Sequence, residues 1–149
     1  MIGILIAVAI PTFLGSRSRA QNRAAQSDLR SALVAAKASY ANLGNYTCAV
    51  YLATVPCPTG LPQLEPSLTF VAAATVSTTA LPRVSVTAAT STIWAAARML
   101  MTGTCFAIRD VQTGNPPALV GTWYGRTLTA ATCRGSSVTA AATPNERWT

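Results

Sequence analysis

The first 14 residues, MIGILIAVAIPTFL, form an apolar run without a single charged side chain. From Ser16 to Asn42 the pattern changes, because apolar residues recur at spacings of three and four while the basic residues fall mostly off that stripe. The stripe consists of Ala25, Leu29, Ala32, Leu33, Ala36 and Tyr40. This period predicts one long amphipathic helix, and the absence of Gly and Pro between Ser16 and Asn42 favours it. We expect Gly44 to end the helix.

Beyond Gly44 the pattern becomes β-like. A Pro-rich loop over residues 44–68 precedes the strand-forming runs, and Met101–Thr104 is a plausible hairpin turn between the last two. The runs are Leu68–Val76, Arg83–Ala88, Thr92–Met99 and Cys105–Val111, with a further short strand or edge beginning at the segment TWYG. The tail from Cys133 reads as irregular and mobile.

These elements predict an α+β fold in which a long N-terminal helix packs on a small antiparallel β-sheet domain. The chain then divides into an apolar segment (1–15), an amphipathic helix (16–43) and a globular β domain with Cys-stapled loops and an irregular tail (44–149).

The apolar run needs a partner. Its eight large side chains point all ways around a helix: Ile2, Ile4, Leu5, Ile6, Val8, Ile10, Phe13 and Leu14. Burying each fully is worth about 1.5–3 kcal/mol, which gives an upper bound of roughly 12–24 kcal/mol. The run is shorter than the about 20 residues that cross a bilayer. Its partner is therefore either a membrane or the same segment of neighbouring subunits.

Composition excludes most catalytic chemistry. The chain has no histidine, and its four carboxylates, at Asp28, Glu65, Asp110 and Glu146, are scattered. Paired-carboxylate, Ser-His-Asp, Cys-His and His-metal sites all need groups that this chain lacks. We expect no enzymatic activity, no metal and no cofactor. The low charged fraction of 10% predicts a neutral surface that tolerates dense packing against copies of itself.

Four cysteines without a CxxC motif indicate disulfides and an oxidising, extracytoplasmic setting. We expect Cys48 to pair with Cys57, which closes the Pro-rich loop, and Cys105 to pair with Cys133, which ties a strand to the start of the tail. The crossed pairings require the 44–66 loop to reach the far end of the sheet, and they stay open at this point.

The formal net charge of +7 and the basic cluster of Arg17, Arg19, Arg23 and Arg30 favour nucleic acid electrostatically. No aromatic residues interleave with the cluster as stacking platforms, so we expect these arginines to solvate the helix or to contact neighbouring subunits. Four aromatic residues elsewhere could form a ligand patch but are expected in the core and against the sheet: Trp94, Phe106, Trp123 and Tyr124.

The segment IGILIAVAIPTFL, followed by SRSRAQNRAAQSDLRSALVAAKASY, resembles the N-terminal helix of type IV pilins, particularly actinobacterial ones. The resemblance covers residues 1–45 and extends more weakly over LTFVA, GTCFAIRD and GTWYG. In that family the apolar stretch is the second half of a longer apolar segment. The leader-peptidase site, the methylated N-terminal residue and a nearby glutamate would lie upstream of Met1, so either the sequence starts late or the protein is an atypical member.

The resemblance implies a pilin fold and a structural role, as subunit of an extracellular pilus filament used for motility, adhesion or DNA uptake. The subunit would be membrane-anchored before assembly and would then form a homopolymer with help from pilus assembly machinery. Its filament core would comprise Ile2, Gly3, Ile4, Leu5, Ile6, Val8, Ile10, Pro11, Phe13 and Leu14. The alternatives are a type II secretion pseudopilin and a membrane-tethered DNA-binding receptor that uses the basic surface.

One local expectation concerns the assembled filament. Pro11 has no N–H to donate and Gly3 is a weak helix former, so we expect the backbone from Gly3 to Pro11 to leave the regular helix there. The rival is a kinked but continuous helix.

Overall fold

The computed structural model describes residues 2–52, 57–78, 83–113 and 120–141, with side chains for residues 15–126, 129 and 131–138 of these ranges. A long helix, α1, precedes a five-stranded sheet, and two shorter helices, α2 and α3, accompany the sheet. The helices are α1 (Ile2–Leu43), α2 (Leu61–Leu64) and α3 (Gly135–Ala141). The strands are β1 (Thr69–Val71), β2 (Arg83–Thr90), β3 (Ile93–Met99), β4 (Cys105–Val111) and β5 (Gly121–Leu128). The predicted α+β class is confirmed.

Helix α1 is 42 residues long and ends where the sequence predicts. Gly44 adopts a φ of 70°, a left-handed conformation that glycine reaches without steric cost, and its N–H donates to the carbonyl of Tyr40 at 2.7 Å. In the single chain the helix runs through Pro11 without a break. The expectation of extended backbone at Gly3–Pro11 concerns the filament and stays a prediction.

The sheet is mixed, so the expectation of an antiparallel sheet is wrong at one edge. Strands β2 to β5 pair in antiparallel order, but β1 runs parallel to β2, with Phe70 opposite Val84. The expected strand Leu68–Val76 is also too long, because the chain turns after Val71. The N–H of Ser77 donates to the carbonyl of Cys133 at 2.8 Å, and β2, which begins at Arg83, runs in the same direction as β1.

The main core lies between α1 and one face of the sheet. Alternate strand residues point towards the helix, as the period of two requires, and their side chains are buried. On the strands these are Phe70, Val84, Val86, Trp94, Ala96, Phe106 and Ile108. The helix contributes Ala25, Leu29, Ala32, Leu33, Ala35 and Ala36. Small alanines on α1 let the helix lie close to the large strand side chains.

Helix α3 covers the opposite face, so the expected irregular tail is wrong over Gly135–Ala141. Val138 packs there against the second buried cluster, which includes Ala97, Ala107 and Cys133. Gly135 allows the close approach, because a Cβ at this position would lie 2.9 Å from the carbonyl carbon of Val86. The remainder of the tail, residues 142–149, lies outside the described residues.

Candidate assembly site: the exposed half of α1

The two halves of α1 have different surroundings. Among the described side chains of the helix, which begin at Gly15, the first that is buried is Ala25, and buried positions continue from there to Ser39. From Gly15 to Ala24 every side chain is exposed or half-buried, and Gln21 contacts Met101 in the β3–β4 turn. From Gln21 back to Ile2 the helix continues for about 28 Å. We call the part of α1 before Ala25 the arm; its described side chains, from Gly15 to Ala24, include none that is buried.

Two ion pairs fasten the packed half of α1 to the sheet at positions nine residues apart. Asp28 pairs with Arg98 on β3, and the Lys37 ammonium lies 3.2 Å from a carboxylate oxygen of Asp110 on β4. Burial raises the pKa of Asp28, and the positive charge of Arg98 offsets part of that rise. At about 1.5 Å per residue the two pairs stand roughly 13 Å apart along the helix. Both pairs lie within the half of α1 that packs on the sheet, beside its buried apolar side chains.

Asp110 is the centre of a buried polar network. Its side chain is 1% exposed, and one of its carboxylate oxygens accepts hydrogen bonds from the Tyr46 hydroxyl and the Gln112 amide, both at 2.5 Å. The other oxygen accepts from Thr122 at 2.5 Å and faces Lys37. Burial alone would raise the pKa of Asp110, but the bonds from Thr122, Tyr46, Gln112 and Lys37 outweigh it and lower the pKa.

Tyr46 and Gln112 complete the same network. Burial, together with the hydrogen bond to Asp110, raises the pKa of the Tyr46 hydroxyl, so it remains a proton donor throughout the physiological range. Gln112 also donates to the Tyr46 oxygen at 3.0 Å. The groups around Asp110 all donate to its carboxylate, so the folded protein favours the ionised form of this side chain. The network binds α1, β4, β5 and the loop after α1 to one another, which is a structural role.

The predicted basic cluster divides between the two halves of α1. Arg17, Arg19 and Arg23 lie on the arm and are exposed, while Arg30 is exposed on the half that packs on the sheet. No described carboxylate forms an ion pair with the three arginines of the arm. Asp28 and Asp110 have their own cationic partners, and Glu65 accepts a hydrogen bond from Ser67.

The ten predicted filament-core residues, Ile2 to Leu14, fall on the backbone of α1, and their side chains lie outside the described side chains. Their part in assembly therefore stays a prediction. Within the described ranges, no helix combines the length and the apolarity that crossing a membrane requires.

Both predicted disulfides are present. Cys48 bonds to Cys57 and Cys105 bonds to Cys133, with Cα–Cα distances of 5.3 Å and 5.7 Å. The first closes the loop after α1, and the second joins β4 to the segment that leads into α3. The crossed pairings are excluded in this structure, and none of the four cysteines is free.

The aromatic residues take the structural positions that the sequence favours. Trp94 is fully buried, and its indole N–H donates to the carbonyl of Ala49 at 2.9 Å. Phe106 lies in the same core, and Tyr124 packs against it from β5. Trp123 is half-buried on β5. The described residues hold no cluster of His, Cys, Asp or Glu able to bind a metal ion.

Sequence reasoning missed the Asp110 network. One signal was present, because a single acid inside the apolar strand CFAIRDV must find donors if it is buried. The identity of those donors depends on the fold, since Lys37, Tyr46 and Thr122 come from three separate segments.

Comparisons of the chain with protein-family models, with curated proteins and with solved structures find no match.

Proposed function

We propose that this chain is the structural subunit of an extracellular filament of the type IV pilus kind, assembled through the N-terminal arm of α1. The observation that carries the proposal is the division of α1. In this helix of 42 residues the buried side chains begin, among those described, at Ala25, and the side chains from Gly15 to Ala24 are exposed or half-buried; the apolar run stands at the start of the same helix. A helix that is apolar on all sides is stable only when it is buried.

Copies of the same arm are the partner that suits it in the filament. A bundle of arms buries apolar side chains on every side of each helix, whereas a single groove on another protein covers one face. The second half of α1 is joined to the sheet by its buried apolar side chains and by the ion pairs of Asp28 and Lys37, so identical subunits would present the arm in the same orientation. Repeated contacts of one orientation that do not close on themselves generate a helical polymer.

The sheet domain suits the outer shell of such a polymer. Its described cysteines are all in disulfides, which persist outside the cytoplasm, and only 10% of the chain is charged. The proposed work is mechanical, and the polymer rather than the single subunit would carry out motility, adhesion or DNA uptake. Before assembly the arm would lie in the membrane.

Electron microscopy of producing cells tests the proposal through Ile6→Asp and Ile10→Asp. A carboxylate in a desolvated bundle without a partner costs several kcal/mol per subunit, so we expect both variants to lose filaments. The matched control is Leu52→Asp, which makes the same change at a side chain that is 55% exposed on the sheet domain. We expect the control to keep normal filament numbers.

Two further measurements, of the folding of the domain and of its binding to DNA, distinguish a loss of assembly from a loss of folding and from the alternative function. The domain from Ser16 onward should remain folded and soluble, because every buried side chain in the description lies beyond that point. Normal filament numbers with Asp at position 6 would contradict the proposal. Steeply salt-dependent binding of duplex DNA by that domain, without filaments on the cells, would instead favour the membrane-tethered DNA receptor.

A further inference from the structure

The three arginines of the arm follow directly after the apolar run. Measured from Leu14 along the helix, Arg17 and Arg19 lie at about 4.5 and 7.5 Å, and Arg23 at roughly 13.5 Å. All three are exposed, and no described carboxylate pairs with them. The sequence contains no Asp or Glu at all in residues 1–27. The arm therefore carries positive charge next to its apolar part that no carboxylate among the described residues neutralises.

The arginines surround the helix instead of forming one face. At about 100° per residue, Arg17 and Arg19 point to nearly opposite sides, and Arg23 lies within roughly 40° of Arg19. A DNA duplex contacts one side of a helix, as does a single neighbouring subunit, so either would leave Arg17 or Arg19 unused. A lipid headgroup layer encloses an inserted helix on all sides and offers phosphates to both.

The spacing of the arginines along the helix also suits the thickness of a lipid headgroup layer. The headgroup region on each side of a bilayer is about 5–7 Å thick. Side chains on a helix tilt towards its N-terminus, which here means towards the apolar run, so Arg23 also reaches back to that layer. The guanidinium group binds phosphate oxygens in pairs, and all three basic residues of the arm are Arg.

We infer that Arg17, Arg19 and Arg23 form a collar that binds the phosphates of anionic phospholipids and sets the depth of the arm in the membrane before assembly. The inference rests on the membrane-bound stage of the proposed function. It adds the lipid class and the residues that recognise it.

Vesicle flotation of the full chain, added from detergent, tests the collar. We compare phosphatidylcholine vesicles with vesicles that contain about 30 mol% phosphatidylglycerol, at about 0.1 M and about 0.5 M salt. Each arginine near an anionic surface strengthens binding by about fivefold, so Arg17→Gln/Arg19→Gln should weaken binding to the anionic vesicles about 25-fold at the lower salt. Binding of this variant to phosphatidylcholine alone should be unchanged.

Two matched variants show whether vesicle binding depends on positive charge at the collar, on the total charge of the chain, or on the arginine side chains apart from their charge. Arg126→Gln/Arg134→Gln removes the same number of charges from the sheet domain, and we expect a loss of less than about threefold because these two residues are not on the arm. Arg17→Lys/Arg19→Lys keeps the charges and should retain most of the preference for anionic vesicles.

Four results would overturn the inference. The first is a wild type that shows no preference for vesicles with phosphatidylglycerol, and the second is a control variant, Arg126→Gln/Arg134→Gln, that loses as much binding as Arg17→Gln/Arg19→Gln. The third is an Arg17→Gln/Arg19→Gln variant that loses as much binding to neutral vesicles as to anionic ones. The fourth is displacement of the chain from anionic vesicles by duplex DNA at equal phosphate concentration. Failure of the filament proposal has a separate readout, because it is measured by filament numbers in Ile6→Asp cells and not by lipid preference.

Discussion

Replacing the buried carboxylate of Asp110 with an amide should destabilise the sheet domain strongly and in a pH-dependent way. Asp110→Asn keeps the size of the side chain, but its amide nitrogen must face donors whichever way it turns. On one side are Tyr46 and Gln112, and on the other are Thr122 and Lys37. Two hydrogen bonds to a charged acceptor are lost, at about 1.5 kcal/mol each, which gives a loss of about 3 kcal/mol.

The neighbours of Asp110 predict a ranking of variants. Tyr46→Phe removes one bond to the carboxylate, so we expect a loss of about 1.5–2 kcal/mol. Lys37→Met should cost about 1 kcal/mol or less, because the lysine side chain is 47% exposed and water screens its charge. Thermal unfolding of the domain from Ser16 onward measures the series, and a loss of 3 kcal/mol corresponds to a fall in Tm of roughly 9–12 °C.

The sign of the pH dependence follows from the lowered pKa of Asp110 in the folded state. Its contribution to stability is complete above the unfolded pKa of about 3.9, and it is lost as the pH falls through the lower folded value. The raised pKa of Asp28 acts in the opposite direction, but it is common to wild type and variant and cancels in their difference. The stability gap between wild type and Asp110→Asn should therefore be constant from pH 7 to about pH 5 and should shrink below about pH 4.

Two results would refute this reasoning. One is an Asp110→Asn variant within about 1 kcal/mol of the wild type at pH 7, and the other is a gap that stays constant down to pH 3. Either would mean that the carboxylate is not held ionised by the donors around it.

Three further predictions concern other parts of the chain. Replacing both cysteines of the Cys105–Cys133 disulfide with serine should cost about 3.6 kcal/mol by chain entropy, against about 2.7 kcal/mol for Cys48–Cys57, measured by denaturant unfolding; the reverse order would contradict the estimate. Gly135→Ala should cost about 1–3 kcal/mol in the same assay because its Cβ meets the backbone of β2. Gly125→Ala, where a Cβ meets nothing within 4 Å, is its control, and an equal effect at both sites would refute the packing argument. In the filament, the backbone over Gly3–Pro11 should be extended in part; a filament reconstruction with unbroken helical bonding on both sides of the proline would favour the kinked rival.

Local sequence patterns predicted the features that depend only on residues close to one another in the sequence. The end of α1 at Gly44 follows from one residue that tolerates a left-handed φ, and the β3–β4 turn is explained in the same way by Gly103, with a φ of 81°. The disulfide between Cys48 and Cys57 follows from the short loop that it closes. In each case the information lies within about ten residues.

Sequence patterns did not predict the features that depend on contacts between residues far apart in the chain. The period-two pattern of Thr69–Val71 gives the face of a strand but not its direction, so the parallel pairing with β2 was not predictable from it. Helix α3 is composed largely of weak helix formers, GSSVTAA, and packing of Val138 and the nearby Cys105–Cys133 disulfide support it more than its own propensity does.

The candidate assembly site was likewise predicted in part from local sequence and in part only from the fold. The apolar run and the arginines beside it are visible in the sequence, whereas the position at which the buried side chains of α1 begin among those described, Ala25, depends on the fold. That position is set by residues far apart in the chain, including the pair of Asp28 and Arg98. Sequence therefore predicted that an arm exists but not how much of α1 it includes.

A helical reconstruction of filaments from producing cells tests the central claim most directly. The account predicts that the arms of α1, from its first residues to about Ala24, are bundled at the filament axis, with the sheet domains outside and the disulfide-closed loops at the surface. A filament held together through sheet edges or through the arginines alone, with the apolar arms exposed or embedded in the domain of a neighbouring subunit, would contradict it.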